Sequence, residues 1–322
     1  MDIEYLLMLQ NFREASNNLL TPLMNFISWF MDSLIYLLPF IVYWSFSKRG
    51  GLYLMFSHYV SAVLGQILKM TACALRPWAF DSRLKPLAAG LDMSYSMPSA
   101  HSLTAAANFG GLAVLIRNKS RLIAYSLILL IILAGFSRNY LGMHGPQEVL
   151  AGFALGAAVL YVVSRIFKFI DKYPEFENNF LLITAALAVI AIIYVKLKSY
   201  PVILIEGMRK PDDMMRAAFL CGGSLIGLAL GRIVERKYIN FESLFKLGFN
   251  LKGLVLLIFG CVIFYYLDID TDFINKIYKS EIMKIFIVNA QWRKFYTGCI
   301  SVFFAVAGWP FVIKKLEHKD FI

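Results

Sequence analysis

Between residues 137 and 152 the chain reads Ser137-Arg138-Asn139-Tyr140-Leu141-Gly142-Met143-His144-Gly145-Pro146-Gln147-Glu148-Val149-Leu150-Ala151-Gly152, a polar turn between two long apolar runs. Charged groups at the edge of a membrane span are costly to desolvate, so they point to function. Pro146 suits the first turn of a helix, where a missing N–H costs nothing. A helix starting there places Glu148 in its first turn, just past His144. The carboxylate can then reach one imidazole nitrogen and leave the other free as a nucleophile. Two more polar clusters lie upstream: Lys69 and Arg76-Pro77 close the second apolar run, and Pro98-Ser99-Ala100-His101 opens the third. Arginines, a lysine and a helix N-terminus all favour anions.

For these clusters to meet, the apolar runs must bring them to one face. The chain has 322 residues, of which 59% are hydrophobic and 16% charged, against roughly 25% charged in soluble domains. With a mean hydropathy of +0.64 it reads as an all-α, polytopic membrane helix bundle. Nine runs approach the ~20 apolar residues that a span requires: 22–45, 51–72, 100–116, 122–138, 147–166, 179–197, 214–233, 251–268 and 295–313. They are too uniformly apolar for the alternation of an outer-membrane barrel. Nine spans place 73–99 and 138–146 on one side, opposite the loops at 46–50 and 117–121, with the termini on opposite sides. The net charge of +11 sits mostly beside apolar runs, as topology determinants do, and no basic–aromatic module of a nucleic-acid binder is present. Lys48-Arg49 and Arg117, Lys119 and Arg121 occupy very short loops without acids, and Arg165, Lys168 and Lys172 follow the fifth span. By the positive-inside rule these ends are cytoplasmic, which puts the polar clusters and the N-terminus outside.

Taken together, Lys69-x6-Arg76-Pro77, Pro98-Ser99-Ala100-His101 and Ser137-Arg138-x5-His144-x3-Glu148 resemble the three-part signature of the type-2 phosphatidic acid phosphatase (PAP2) superfamily. Two positions depart from it: Ala100 stands where the family usually has Gly, and Glu148 where it usually has Asp. The resemblance spans about residues 20–167, a PAP2-like catalytic core; residues 168–322 are expected to add further membrane helices, the whole of 1–322 forming one membrane domain. The resemblance implies a metal-independent phosphatase in a bacterial inner membrane, acting on a lipid phosphate or diphosphate such as undecaprenyl diphosphate or a phosphatidic acid-like lipid. It implies that His144 attacks phosphorus and forms a phosphohistidine, that Glu148 orients His144, and that His101 protonates the leaving oxygen. Lys69, Arg76, Ser99, Ala100 and Arg138 would bind the phosphate, with no metal and no cofactor. A phosphotransferase, a glucose-6-phosphatase-like hydrolase of a soluble ester and a non-catalytic lipid-phosphate binder or transporter remain as alternatives. Nothing in the chain specifies an oligomeric state.

The other polar positions read differently. Residues 2–18 and 276–294 are expected to form interfacial helices. Asp268, Asp270 and Asp272 lack the Gly and closing Glu of a calcium loop. Loop 198–213, with Glu206, Arg209, Lys210, Asp212 and Asp213, reads as solvated. Asp32 and His58 read as interhelical hydrogen-bonding residues and His318 as part of a solvated tail. Met93, Met97 and Met143 read as adaptable packing. Tyr95 and Trp78 fit either a substrate entrance or interfacial anchoring. Gly222-Gly223, Gly227 and Gly231 are spaced for close helix approach. Cys73, Cys221, Cys261 and Cys299 support neither a disulfide framework nor a zinc site.

Overall fold

A computed structural model describes residues 3–87, 94–201, 209–245, 249–269 and 290–317. The helices are α1 (Ile3–Ala15), α2 (Thr21–Ser33), α3 (Leu38–Ser45), α4 (Lys48–Ala72), α5 (Pro77–Phe80), α6 (Ala100–Ile116), α7 (Arg121–Tyr140), α8 (Pro146–Lys172), α9 (Glu177–Leu197), α10 (Pro211–Val234), α11 (Leu251–Ile269), α12 (Ala290–Phe303) and α13 (Trp309–Glu317). No strand occurs among the described residues. Among the described residues, seven helical stretches are long and apolar enough to cross a membrane: Thr21–Ser45, Lys48–Phe80, Arg121–Tyr140, Pro146–Lys172, Pro174–Leu197, Pro211–Ile239 and Ala290–Leu316. The protein is a multi-pass helical membrane protein. The other two expected spans are also apolar helices, Ala100–Ile116 and Leu251–Leu267, but both fall short of that length, so nine spans are not established. Residues 276–289 of the expected helix at 276–294, the carboxylates at 268, 270 and 272, Asp32, Met93, Glu206 and His318 lie outside what the structure describes, and residues 290–294 of that expected helix begin α12.

The chain divides into two compact units. One comprises residues 1–36, 60–164 and 199–214, the other 37–59, 165–198 and 215–322. The core expected over 20–167 therefore contributes residues to both.

In the first unit α6 and α7 form a hairpin against which α2 packs, and α1 lies on α7. Ser99 caps α6 by accepting from the Ser102 N–H, and Ser120 caps α7 by accepting from the Ile123 N–H at 3.3 Å. Such caps satisfy N–H groups that a helix start leaves unpaired. Arg117, Lys119 and Arg121 sit at the closed tip of this hairpin, and His101 and Arg138 at its open end. α8 begins at Pro146. A Cβ on Gly152 would lie 2.7 Å from the Ser99 carbonyl oxygen and 3.1 Å from the Leu103 nitrogen. The missing side chain lets α8 lie against the start of α6.

In the second unit the glycine seam packs as its spacing predicts: Gly223 and Gly227 on α10 face the backbone of Phe295 and Cys299 on α12. Tyr43 and Trp44 donate to the carbonyls of Val306 and Ala305, at 3.2 and 2.8 Å, in a π-helical turn before α13. Buried Glu235 pairs with Lys48 at 2.6 Å and Arg232 at 2.5 Å, which leaves that charge compensated.

Candidate active site

The turn from α7 into α8 carries the central pair. Gly142 has φ of +72°, a left-handed conformation that suits glycine, and it reverses the chain after α7. The Met143 N–H donates to the Arg138 carbonyl at 2.9 Å, and the Asn139 amide donates to the His144 carbonyl at 2.8 Å. The turn is also held from outside. The Leu87 N–H donates to the Leu141 carbonyl at 2.9 Å. Arg13, buried on α1, donates to the Tyr140 carbonyl at 3.1 Å and the Lys85 carbonyl at 2.9 Å. Gln10, one turn earlier, accepts from the Lys85 N–H at 2.8 Å and donates to the Arg83 carbonyl at 3.1 Å. The helix expected over 2–18 forms as α1 and acts as a strut: its polar side chains tie the 83–87 loop to the end of α7, where helix carbonyls lack intrahelical donors.

His144 is 2% exposed and bonded at both ring nitrogens. Arg76 Nη1 lies 2.9 Å from His144 Nε2. A guanidinium only donates, so Nε2 carries the lone pair and Nδ1 the proton. Nδ1 then donates to Glu148 Oε2 at 2.8 Å. The same oxygen accepts from Ser96 Oγ at 2.5 Å and from the Gly145 N–H at 3.1 Å. Glu148, longer by one methylene than the Asp usual in the family, reaches the imidazole along the first turn of α8. Arg76, fully buried in the extended segment before α5, is fixed by its other donors: Nε to the Ser94 carbonyl at 3.0 Å and Nη1 to the Met143 carbonyl at 3.1 Å.

A second hydrogen-bonded group lies beside the first. Arg138 Nη1 donates to Ser28 Oγ at 2.5 Å, and Ser28 Oγ lies 3.3 Å from His101 Nε2. The two groups meet through the backbone, where the Ser99 N–H donates to the Glu148 carbonyl at 3.0 Å. Lys69 is buried near the end of α4, within electrostatic reach of both His144 and Glu148. Burial holds the His144 pKa well below the usual histidine range, reinforced by the charges on Arg76, Arg138 and Lys69 and by His101. At neutral pH the resting imidazole is uncharged and keeps its Nε2 lone pair.

All eight residues singled out from sequence lie in this one unit. Ala100 is the first residue of α6 and is not among the described non-glycine residues with positive φ, so its methyl group brings no backbone strain. Tyr95 is fully buried, which fits neither an entrance nor an interfacial anchor. Met143 packs with Met24, Tyr140 and Leu141. Sequence reasoning missed Ser96, Ser28, Asn139 and Arg13. Ser96 had a faint signal, a hydroxyl two residues before Pro98. Ser28 had another: it lies on the stripe Met24, Ser28, Met31 of an apolar helix, the face that turns inward. Among the described residues, no group of three or more His, Cys, Asp and Glu is placed to hold a metal ion.

Two histidines, a carboxylate and three cationic side chains thus lie within one unit of a membrane helix bundle. Residues 50–172 match the PAP2 superfamily and form a PAP2 domain within the chain. The match begins at residue 50, so α1 and α2 lie ahead of it. The chain is similar to the undecaprenyl-diphosphatase of Sulfolobus acidocaldarius, with 28% identity over 123 residues, covering 37% of this chain and 56% of that protein. It is also similar to the phosphatidylglycerophosphatase B of Bacillus subtilis, with 30% identity over 110 residues, covering 31% of this chain and 53% of that protein. The chain thus spans about half the length of these curated relatives. No solved structure matches it.

Proposed function

We propose that the protein is a metal-independent phosphatase that hydrolyses a lipid phosphate or diphosphate through a phosphohistidine at the extracytoplasmic face of the membrane, a bacterial inner membrane on the reading above. The observation that carries this reading is the state of His144: its Nδ1 proton is committed to Glu148, and its Nε2 lone pair is met by Arg76. The names of the two relatives, one a diphosphatase and one a phosphatase of lipid substrates, support the substrate class. The facing of the membrane is supported by the basic tip of the α6–α7 hairpin, at the end opposite His101 and Arg138.

On this reading an arriving phosphoryl group draws the Arg76 N–H from Nε2 to one of its own oxygens. Nε2 then attacks phosphorus, the bond to the leaving oxygen breaks, and His101, which takes up a proton as the anionic substrate enters, gives that oxygen its proton. Glu148 stabilises the positive charge that develops on the imidazole. Water next attacks the phosphohistidine, its proton passes to His101, the P–N bond breaks, and inorganic phosphate leaves as His101 gives that proton to solvent, which restores both rings. Lys69, Arg76 and Arg138 offset the charge on the phosphoryl oxygens throughout.

Purified protein in detergent is expected to release phosphate from undecaprenyl diphosphate or phosphatidic acid with undiminished turnover in EDTA. A radiolabelled protein adduct, stable to alkali and labile to acid, is expected on rapid quenching and should be absent from His144→Ala. Turnover that disappears with EDTA, or an adduct that survives in His144→Ala, would overturn the proposal.

The electrostatics of His144 set a pH dependence. The neutral imidazole is the competent form, and it is lost as pH falls through a pKa depressed by burial and by the neighbouring cations. In kcat/KM, which reports the free enzyme, the acid limb from His144 is therefore expected below the ordinary value of about 6.5. Lys69→Met removes one of those cations and should move the limb to higher pH, the substrate's own titration being common to both profiles. A limb that stays in place or moves down would show that Lys69 does not act on this imidazole.

A further inference from the structure

We propose that Ser28, on α2 ahead of the matched domain, is a positioning residue for the reaction, its hydroxyl holding the His101 ring and the Arg138 guanidinium in one hydrogen-bonded unit. The inference rests on the phosphatase reading for its effect on turnover and on geometry alone for its effect on His101.

A hydroxyl has one proton to donate and two lone pairs. Arg138 Nη1 takes one lone pair at 2.5 Å, a charge-assisted contact. Where His101 Nε2 carries a lone pair, the hydroxyl proton is directed to it, 3.3 Å away. Charge favours this arrangement over an imidazolium, because Lys69 on α4, Arg76 before α5 and Arg138 on α7 already crowd the site, against the single carboxylate Glu148 on α8 and a neutral His144. In the resting site Ser28 thus leaves His101 in its base form, the state that takes a proton from water in the second half of the cycle. Ser28 itself exchanges no atom with the substrate.

Ser28 is well held for this task. Met24, one turn earlier on the same face, packs with Tyr140, Leu141 and Met143 of the nucleophile turn. Phe30 stacks on Phe109 of α6 with ring centroids 6.4 Å apart. Thr21 Oγ1 lies 3.2 Å from the Tyr140 hydroxyl. α2 is therefore anchored both to the end of α7, which carries Arg138, and to α6, which carries His101. Ser28, Arg138 and His144 are all buried, so water does not replace a lost contact cheaply.

The test compares Ser28→Thr with Ser28→Val in the full chain, two side chains of nearly the same shape that differ in the hydroxyl. Ser28→Ala is the unbranched control, and thermal melting checks that each variant folds. Ser28→Val is expected to lower kcat about tenfold, the loss of one buried hydrogen bond, with KM for undecaprenyl diphosphate within about twofold of wild type on the same argument. Ser28→Thr should recover most of kcat. A second readout does not need turnover. In protein labelled with ¹⁵N at histidine, and with the His101 signal assigned through His101→Asn, the Nε2 resonance of wild type and Ser28→Thr should be that of a hydrogen-bonded acceptor, and Ser28→Val should lose that signature. Equal kcat in the Thr and Val variants with identical His101 resonances would overturn the inference. A wild-type protein that releases no phosphate from any lipid would overturn the phosphatase reading instead, and the resonances alone would then decide the role of Ser28.

Discussion

Glu148→Asp is expected to lower phosphate release about a hundredfold, although Asp is the residue the family usually carries at this position. Glu148 Oε2 holds three donors at once: His144 Nδ1 at 2.8 Å, Ser96 Oγ at 2.5 Å and the Gly145 N–H at 3.1 Å. Removing one methylene withdraws that oxygen by more than 1 Å unless α8 advances. α8 cannot easily advance, because its backbone is tied to Ser99 through the Glu148 carbonyl and abuts α6 at Gly152. The imidazole proposed as nucleophile would then lose its orientation, and a 1 Å displacement of a reacting group costs about 10²-fold. Glu148→Gln should be worse, by about 10³-fold or more, because it keeps the length but removes the charge that stabilises the imidazolium and permits the wrong tautomer. Both variants should retain the wild-type melting temperature to within a few degrees if the loss is one of chemistry. An Asp variant as active as wild type would mean that the turn and α8 adjust freely, and that Ser96 and Gly145 do not fix the carboxylate.

How far the site could be read in advance depended on the range of the interaction. The pairing of His144 with Glu148 was legible because it is local: Pro146 marks the helix start, and the carboxylate follows the imidazole by four positions, in the first turn of that helix. The grouping of Lys69, Arg76, His101 and Arg138 was legible because charges at the ends of apolar runs are expensive there unless they have partners. Ser96 and Ser28 were not. A single hydroxyl in an apolar setting bonds its own backbone as readily as a distant side chain, as Ser57 does with the Tyr53 carbonyl, so its residue type does not announce its partner. Arg13 was read as an interfacial charge, because nothing in residues 2–18 reveals two acceptors contributed by residues 85 and 140. The helices followed their apolar runs closely, as at 100–116, but the run at 22–45 is interrupted. α2 stops at Ser33, a 3₁₀ turn covers Ile35–Leu37, and α3 restarts with Pro39 near its first position, where the missing N–H does no harm. α8 runs on to Lys172, past the expected end at 166, because the basic residues Arg165, Lys168 and Lys172 are good helix formers beyond the apolar stretch.

Gly152→Ala is expected to weaken the fold by about 1–3 kcal/mol and to lower phosphate release more than tenfold in the protein that remains folded, and Gly152→Leu should leave little folded protein. The added Cβ would stand 2.7 Å from the Ser99 carbonyl oxygen, 2.9 Å from Ser102 Cβ and 3.1 Å from the Leu103 nitrogen. Two of these three are main-chain atoms at the start of α6 and the third is bonded directly to the main chain, so relief must come from moving α8 away from α6 as a body. That movement stretches the Ser99 N–H to Glu148 carbonyl bond and separates the helix carrying His101 from the turn carrying His144. In the proposed mechanism those two rings act on the same phosphorus, so a shift of a few tenths of an ångström is felt in rate before it is felt in secondary structure. Gly110→Ala supplies the control within the same unit. There the new Cβ would meet Leu160 Cδ1 at 2.8 Å, the far end of a flexible side chain that can turn aside. Melting in detergent and phosphate release, measured side by side, should find Gly110→Ala near wild type on both and Gly152→Ala impaired on both. Equal behaviour of the two alanine variants would mean that the approach of α8 to α6 at residue 152 does not set the spacing of the two histidines.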